Sequence, residues 1–82
     1  MTVTLYSKPN CRQCIATKRW LDQNNIEYSI DNIMDDDNLA LVKELGYLEA
    51  PVVIVRDGDN VDDSWSGFIP DRLNTLLKTV VE

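Results

Sequence analysis

Two cysteines, Cys11 and Cys14, stand three residues apart, and the 82-residue sequence contains no histidine. That combination leaves a narrow range of chemistry. Ser-His and Cys-His nucleophiles are excluded, as are imidazole metal sites. Two thiols alone cannot close a tetrahedral zinc site, which takes four ligands. Thiol–disulfide exchange remains, and it requires neither a metal nor a bound organic cofactor. In a reducing cytosol a disulfide is more often transient and catalytic than structural. The pair is therefore read as a redox centre.

Exchange depends on the thiolate, and free cysteine titrates near about 8.5; a helix N-terminus or nearby cations lower this to roughly 3.5–7.5. The flanking sequence predicts a helix from about Arg12 to Asn24, with Cys14, Thr17 and Leu21 on one face. Cys11 then sits at its start, facing unpaired backbone N–H groups and the positive dipole end. Lys8 and Arg12 act in the same direction, and Lys8, Arg12 and Lys18 are expected to surround the thiolate. Cys11 is assigned as nucleophile, and Cys14, one turn later, as the resolving thiol.

Charge is distributed unevenly along the chain. Residues 1–21 hold Lys8, Arg12, Lys18 and Arg19 and no acid, hence +4; residues 22–82 hold all 14 acids and four bases, hence −10. The net charge of −6 argues against DNA or RNA as a partner, because affinity for polyanions rests on Lys and Arg. The longest uninterrupted apolar run, Ala50 to Val55, is far too short to span a membrane. A hydrophobic content of 44% suits a folded chain, and the length allows one domain, residues 1–82, with one modest core. A soluble cytoplasmic monomer is expected.

The elements that must position the thiols follow from periodicity. Val3 and Leu5 alternate with Thr2, Thr4 and Tyr6 as a first strand, and Ser7-Lys8-Pro9-Asn10 is a turn into the helix. Ile26 to Ile30 alternates as a second strand. Asp35-Asp36-Asp37 opens a second helix, capped by Gly46, with Leu41, Val42 and Leu45 as its buried stripe. The acidic triplet is read as helix capping rather than a metal site. Val52 to Val55 is a β-branched run suited to a central strand buried on both faces. A turn over Arg56 to Asn60 returns Val61 to Trp65 antiparallel, and Pro70 starts a last helix striped by Leu73, Leu76, Leu77 and Val80. The order β-α-β-α-β-β-α implies an α/β fold, a four-stranded mixed sheet flanked by three helices.

Two further segments fall near the thiols. The strand 52–55 must lie beside the first strand, which brings the Ala50–Pro51 junction to the redox pair. A cis bond there would expose the Ala50 backbone for pairing with an extended partner segment; a trans proline opening a strand is the alternative, and the residues alone leave both open. Trp65 and Phe68, around Ser66-Gly67, form either a packed loop beside the redox pair or an exposed apolar docking patch. Trp20 is expected to be half-buried on the first helix.

Three stretches, Tyr6 to Lys18 with Cys11-Arg12-Gln13-Cys14, Gly46 to Val53 with Ala50-Pro51, and Trp65-Ser66-Gly67-Phe68-Ile69-Pro70-Asp71, together resemble the NrdH-redoxins. These are glutaredoxin-like proteins with thioredoxin-like behaviour, and the resemblance is greatest to the actinobacterial branch or a phage copy of it. It implies a thioredoxin fold, Cys11 and Cys14 as the redox pair, and Pro51 as a cis-proline. It implies electron delivery to class Ib ribonucleotide reductase and re-reduction by thioredoxin reductase with NADPH. Lys8, Arg12, Gln13, Ala50, Pro51, Trp65, Ser66, Gly67 and Phe68 are the expected partner-binding residues. Glutathione should bind poorly, since the 65–71 loop stands where glutaredoxins hold it. Ile69 departs from the Arg of the family's loop, and the hairpin 56–64 is longer and more acidic; both bear on docking. The alternatives are a glutathione-dependent glutaredoxin and a non-catalytic adaptor that binds through Trp65 and Phe68.

Overall fold

The computed structural model describes residues 2–81, with side chains described as far as Leu77. Its elements are β1 Thr2–Ser7, α1 Arg12–Gln23, β2 Ser29–Asn32, α2 Asp36–Glu44, β3 Val52–Asp57, β4 Asn60–Ser66 and α3 Pro70–Val81. The sheet order is β2-β1-β3-β4. β1 pairs parallel with β2, Leu5 opposite Ile30, and antiparallel with β3, Leu5 opposite Val53. β3 and β4 pair antiparallel, Val53 opposite Trp65. The β-α-β-α-β-β-α order and the mixed four-stranded sheet are those the periodicity predicts.

The alternation of β3 explains the two layers of core. Val53 and Val55 face α1 and α3, packing with Val3, Leu5, Leu21, Ile26, Trp65, Leu73 and Leu76. Val52 and Ile54 face α2, packing with Tyr6, Ile33 and Val42, and Leu39, Leu41 and Leu45 close the edge. A strand buried on both faces needs an unbroken apolar run, and 52–55 supplies it. The predicted place of Val80 in the α3 stripe lies outside the described side chains.

The second strand differs from expectation. β2 begins at Ser29 instead of Ile26, all four of its residues are exposed, and Ile30 is 53% exposed. Ile26 is buried for another reason: it closes the C-terminal cap of α1. Asn25 takes φ 56°, its N–H bonds the Asp22 carbonyl, and the Ile26 N–H bonds the Leu21 carbonyl at 3.0 Å. That is a Schellman motif, in which the residue after the left-handed one makes an apolar contact back to the helix. α2 ends the same way, with Gly46 at φ 92° and the Tyr47 N–H on the Val42 carbonyl at 2.8 Å.

The hairpin turns through Gly58-Asp59, with Gly58 at φ 62°. A bulge follows between Val55 and Arg56, leaving Asp62 without a partner across the pair. Bulges twist an edge strand and discourage pairing with another chain.

Candidate redox site

β1 delivers the chain to the turn 7–10, and Asn10, at φ 59°, reverses it into α1. Asparagine tolerates this left-handed region better than most residues. Cys11 is the N-cap of α1, extended at φ −108° and ψ 108°, and its Sγ accepts the Cys14 backbone N–H at 3.2 Å. The sulfur therefore occupies the place a Ser or Asp side chain takes at most helix starts. The first turn carries no acid that would oppose a thiolate there.

Cys11 and Cys14 form a disulfide with their Cα atoms 5.2 Å apart, inside the ordinary range of about 4.4–6.8 Å. Both are buried, Cys11 at 8% exposure and Cys14 at 5%. Below them Thr17, fully buried, donates its hydroxyl to the Gln13 carbonyl at 2.8 Å, which satisfies the hydroxyl and braces the first turn.

Two loops meet this turn. The pairing of Val52 with Tyr6 and with Ser66 brings the Ala50–Pro51 junction and the start of the 66–68 loop to the sheet end where β1 runs out. The Ala50–Pro51 bond is cis. The Gly67 N–H bonds the Pro51 carbonyl at 2.8 Å, and Ser66 Oγ donates to the Glu49 carbonyl at 2.8 Å. From the other side the Phe68 N–H bonds Gln13 Oε1 at 3.0 Å. Gly67 is needed here for its φ of +95°, and a Cβ would lie 3.2 Å from Gln13 Oε1, so that side chain would have to shift slightly. One patch thus joins Cys11, Gln13, Cys14, Pro51, Gly67 and Phe68.

The remaining predicted site residues fall differently. Ala50, Ser66 and Phe68 are half-buried at the patch, and Pro51 is buried. Lys8 and Arg12 are exposed and enter no ion pair among the described residues. Lys18 does not serve as a free cation around the thiolate. Its Nζ is held by Asp22 at 2.9 Å, and Tyr28 OH binds the other oxygen of that carboxylate at 2.9 Å. The hydrogen bond from Lys18 lowers the Asp22 pKa, helped by that from Tyr28, and the same contact raises Lys18. Burial chiefly, then the bond to Asp22, raises Tyr28.

Trp65 corrects the docking-patch alternative. At 3% exposure it belongs to the core beneath the loop, among Val53, Leu73 and Leu76. The Arg72 guanidinium lies 5.5 Å from its ring centroid and pairs with Asp63. The indole N–H has no partner among the described residues. Trp20 is half-buried, as expected.

Sequence reasoning missed two features. One is the Gln13–Phe68 bond, which spans 55 positions and has no local signature. The other is a shallow cleft of about 260 Å³ beside the disulfide, lined by Pro9, Asn10, Cys11, Cys14, Ile15 and Ile30 among others. Ile15 is 56% exposed directly after Cys14, a position where α1 turns an apolar side chain to solvent. No group of three or more potential metal-binding side chains occurs among the described residues, and none of the described helices is long and apolar enough to cross a membrane.

The glutaredoxin family profile matches residues 3–61. The glutaredoxin-like protein NrdH of Salmonella typhimurium is 36% identical over 80 residues, covering 96% of this chain and 93% of its own. That of Lactococcus lactis subsp. cremoris is 40% identical over 75 residues, covering 90% and 97%. The chain belongs to the NrdH glutaredoxin-like proteins. The solved NrdH-redoxin of Escherichia coli, a glutaredoxin-like protein with a thioredoxin-like activity profile, superposes with a TM-score of 0.80 at 35% identity, covering 93% of this chain and 95% of that one. The mixed sheet β2-β1-β3-β4 with three helices is thus the thioredoxin/glutaredoxin fold that the resemblance implied. Against the NrdH loop pattern, Ile69 is 36% exposed, and its carbonyl accepts the Arg72 and Leu73 N–H groups at 3.0 Å each, opening α3.

Proposed function

We propose that this single glutaredoxin-like domain is a cytoplasmic, monomeric dithiol electron carrier, reducing class Ib ribonucleotide reductase and itself reduced by thioredoxin reductase at the expense of NADPH. The observation that carries this is the Cys11–Cys14 disulfide at the N-terminus of α1, with Cys11 Sγ accepting the Cys14 backbone N–H. The NrdH membership supports a redox role with a protein partner.

In the reduced protein the Cys11 thiolate attacks one sulfur of the partner disulfide. A mixed disulfide forms, and the partner's other sulfur leaves as a thiolate that takes up a proton. Cys14 then gives up its proton and attacks Cys11 Sγ, breaking the intermolecular bond and releasing the second partner thiol. Two electrons pass to the partner, and the Cys11–Cys14 bond remains. Thioredoxin reductase reverses the last state through its flavin; the carrier needs no cofactor of its own. Ala50, Pro51, Ser66, Gly67 and Phe68 offer backbone and apolar surface to an extended partner segment, and exposed Lys8 and Arg12 supply positive charge.

The test is turnover in a mixture of NADPH, thioredoxin reductase, this protein and class Ib ribonucleotide reductase. NADPH oxidation dependent on this protein is expected. Equal turnover with glutathione and glutathione reductase would instead assign a glutathione-dependent glutaredoxin, and full function of a Cys11→Ser, Cys14→Ser double variant would assign an adaptor.

A further inference from the structure

We infer that Gln13 is a positioning residue whose side-chain carbonyl fixes the 66–68 loop against the redox turn, and so governs access of protein disulfides to Cys11. The inference rests on the dithiol-carrier function proposed above and assigns a role to a residue that exchange chemistry does not use.

The side chain of Gln13 is committed within the fold. Its Oε1 accepts the Phe68 N–H at 3.0 Å, while its backbone carbonyl accepts the hydroxyl of fully buried Thr17 at 2.8 Å. The loop is held from the opposite side by the Gly67 N–H on the Pro51 carbonyl and by Ser66 Oγ on the Glu49 carbonyl. Among the described residues Gln13 ties the loop to α1, while Gly67 and Ser66 tie it to the Pro51 segment. The fit is close: a Cβ on Gly67 would meet Oε1 at 3.2 Å. Because Gln13 lies between the two cysteines, its bond to the Phe68 N–H couples the place of the redox turn directly to the loop.

A polypeptide carrying a disulfide must lie across Pro51 and the loop to bring its sulfur to Cys11, so it contacts Gly67 and Phe68 as well. A small disulfide reaches the sulfur without touching the loop. Losing Oε1 frees the Phe68 N–H to water and the loop to move, which weakens protein binding while the sulfur chemistry proceeds. One hydrogen bond of this kind corresponds to about a fivefold change.

The experiment compares wild type, Gln13→Ala and Gln13→Glu, which keeps a side-chain acceptor. Each is assayed under dithiothreitol with insulin as protein disulfide and Ellman's reagent as small disulfide, alongside hydrogen exchange at the Phe68 amide. For Gln13→Ala the KM for insulin is expected to rise about fivefold more than any change with Ellman's reagent, with faster Phe68 exchange; Gln13→Glu recovers both. An unchanged insulin KM, an equal loss with both substrates, or failure of Gln13→Glu to restore Phe68 protection overturns the assignment. A wild type inert toward both substrates overturns the carrier function itself.

Discussion

The Cys14 backbone N–H points at Cys11 Sγ from 3.2 Å, so one cysteine of the pair donates to the other's sulfur before any partner arrives. A donor at this N-cap position favours the charged form of Cys11 in the reduced protein, as does the positive end of the helix. Iodoacetamide is therefore expected to alkylate Cys11 before Cys14 and faster than free cysteine near neutral pH. Mapping the modified residue by mass spectrometry across a pH series checks this; preferential labelling of Cys14, or a Cys11 profile at or above that of free cysteine, would contradict it.

Asp22 neutralises Lys18, which lines the cleft beside Cys11. Asp22 is held below its ordinary 3.8 and Lys18 above its ordinary 10.5. The carboxylate's contribution is complete above the ordinary acid value and fades as pH falls through the lowered one. The ammonium's contribution is complete below 10.5 and fades only as pH rises through the raised value. At neutral pH the pair is intact, and Asp22→Asn leaves Lys18, a lining residue of the cleft beside Cys11, uncompensated. Alkylation of Cys11 at pH 6 should then quicken about twofold at low ionic strength and lose the gain at about 1 M salt, where screening acts within about 3 Å. An unaltered rate at low salt would show that Lys18 does not reach the thiolate.

Trp65 is a core residue beneath the loop. Trp65→Ala should cost about 3–5 kcal/mol in urea unfolding, a large share of the roughly 5–15 kcal/mol available to a small domain. A loss below about 1 kcal/mol, with affinity for partners reduced, would restore the docking-patch alternative.

The features legible in the sequence are those with a local physical cause. The C-x-x-C spacing, the β-branched run of 52–55 and the Leu73, Leu76 stripe each name their own structure, because periodicity and burial are properties of neighbouring residues. Ile26 misled because alternation and a Schellman cap both bury an isoleucine after Asn24-Asn25, and the left-handed Asn25 decides for the cap. The basic segment misled at its edge: Asp22 lies one residue beyond 1–21 and neutralises Lys18 at i+4. Gln13–Phe68 and Arg72 over Trp65 join residues on separate elements, and only the packing of the helices and the 66–68 loop on the sheet brings them together.

The central claim is that Cys11 attacks the disulfide of class Ib ribonucleotide reductase and Cys14 resolves the product. Its most direct measurement is mixed-disulfide trapping: reduced Cys14→Ser protein is mixed with oxidised class Ib ribonucleotide reductase and analysed on a non-reducing gel. A dithiothreitol-sensitive adduct linked through Cys11, absent with Cys11→Ser, is the predicted result. No adduct, or an equal one from Cys11→Ser through Cys14, would contradict it.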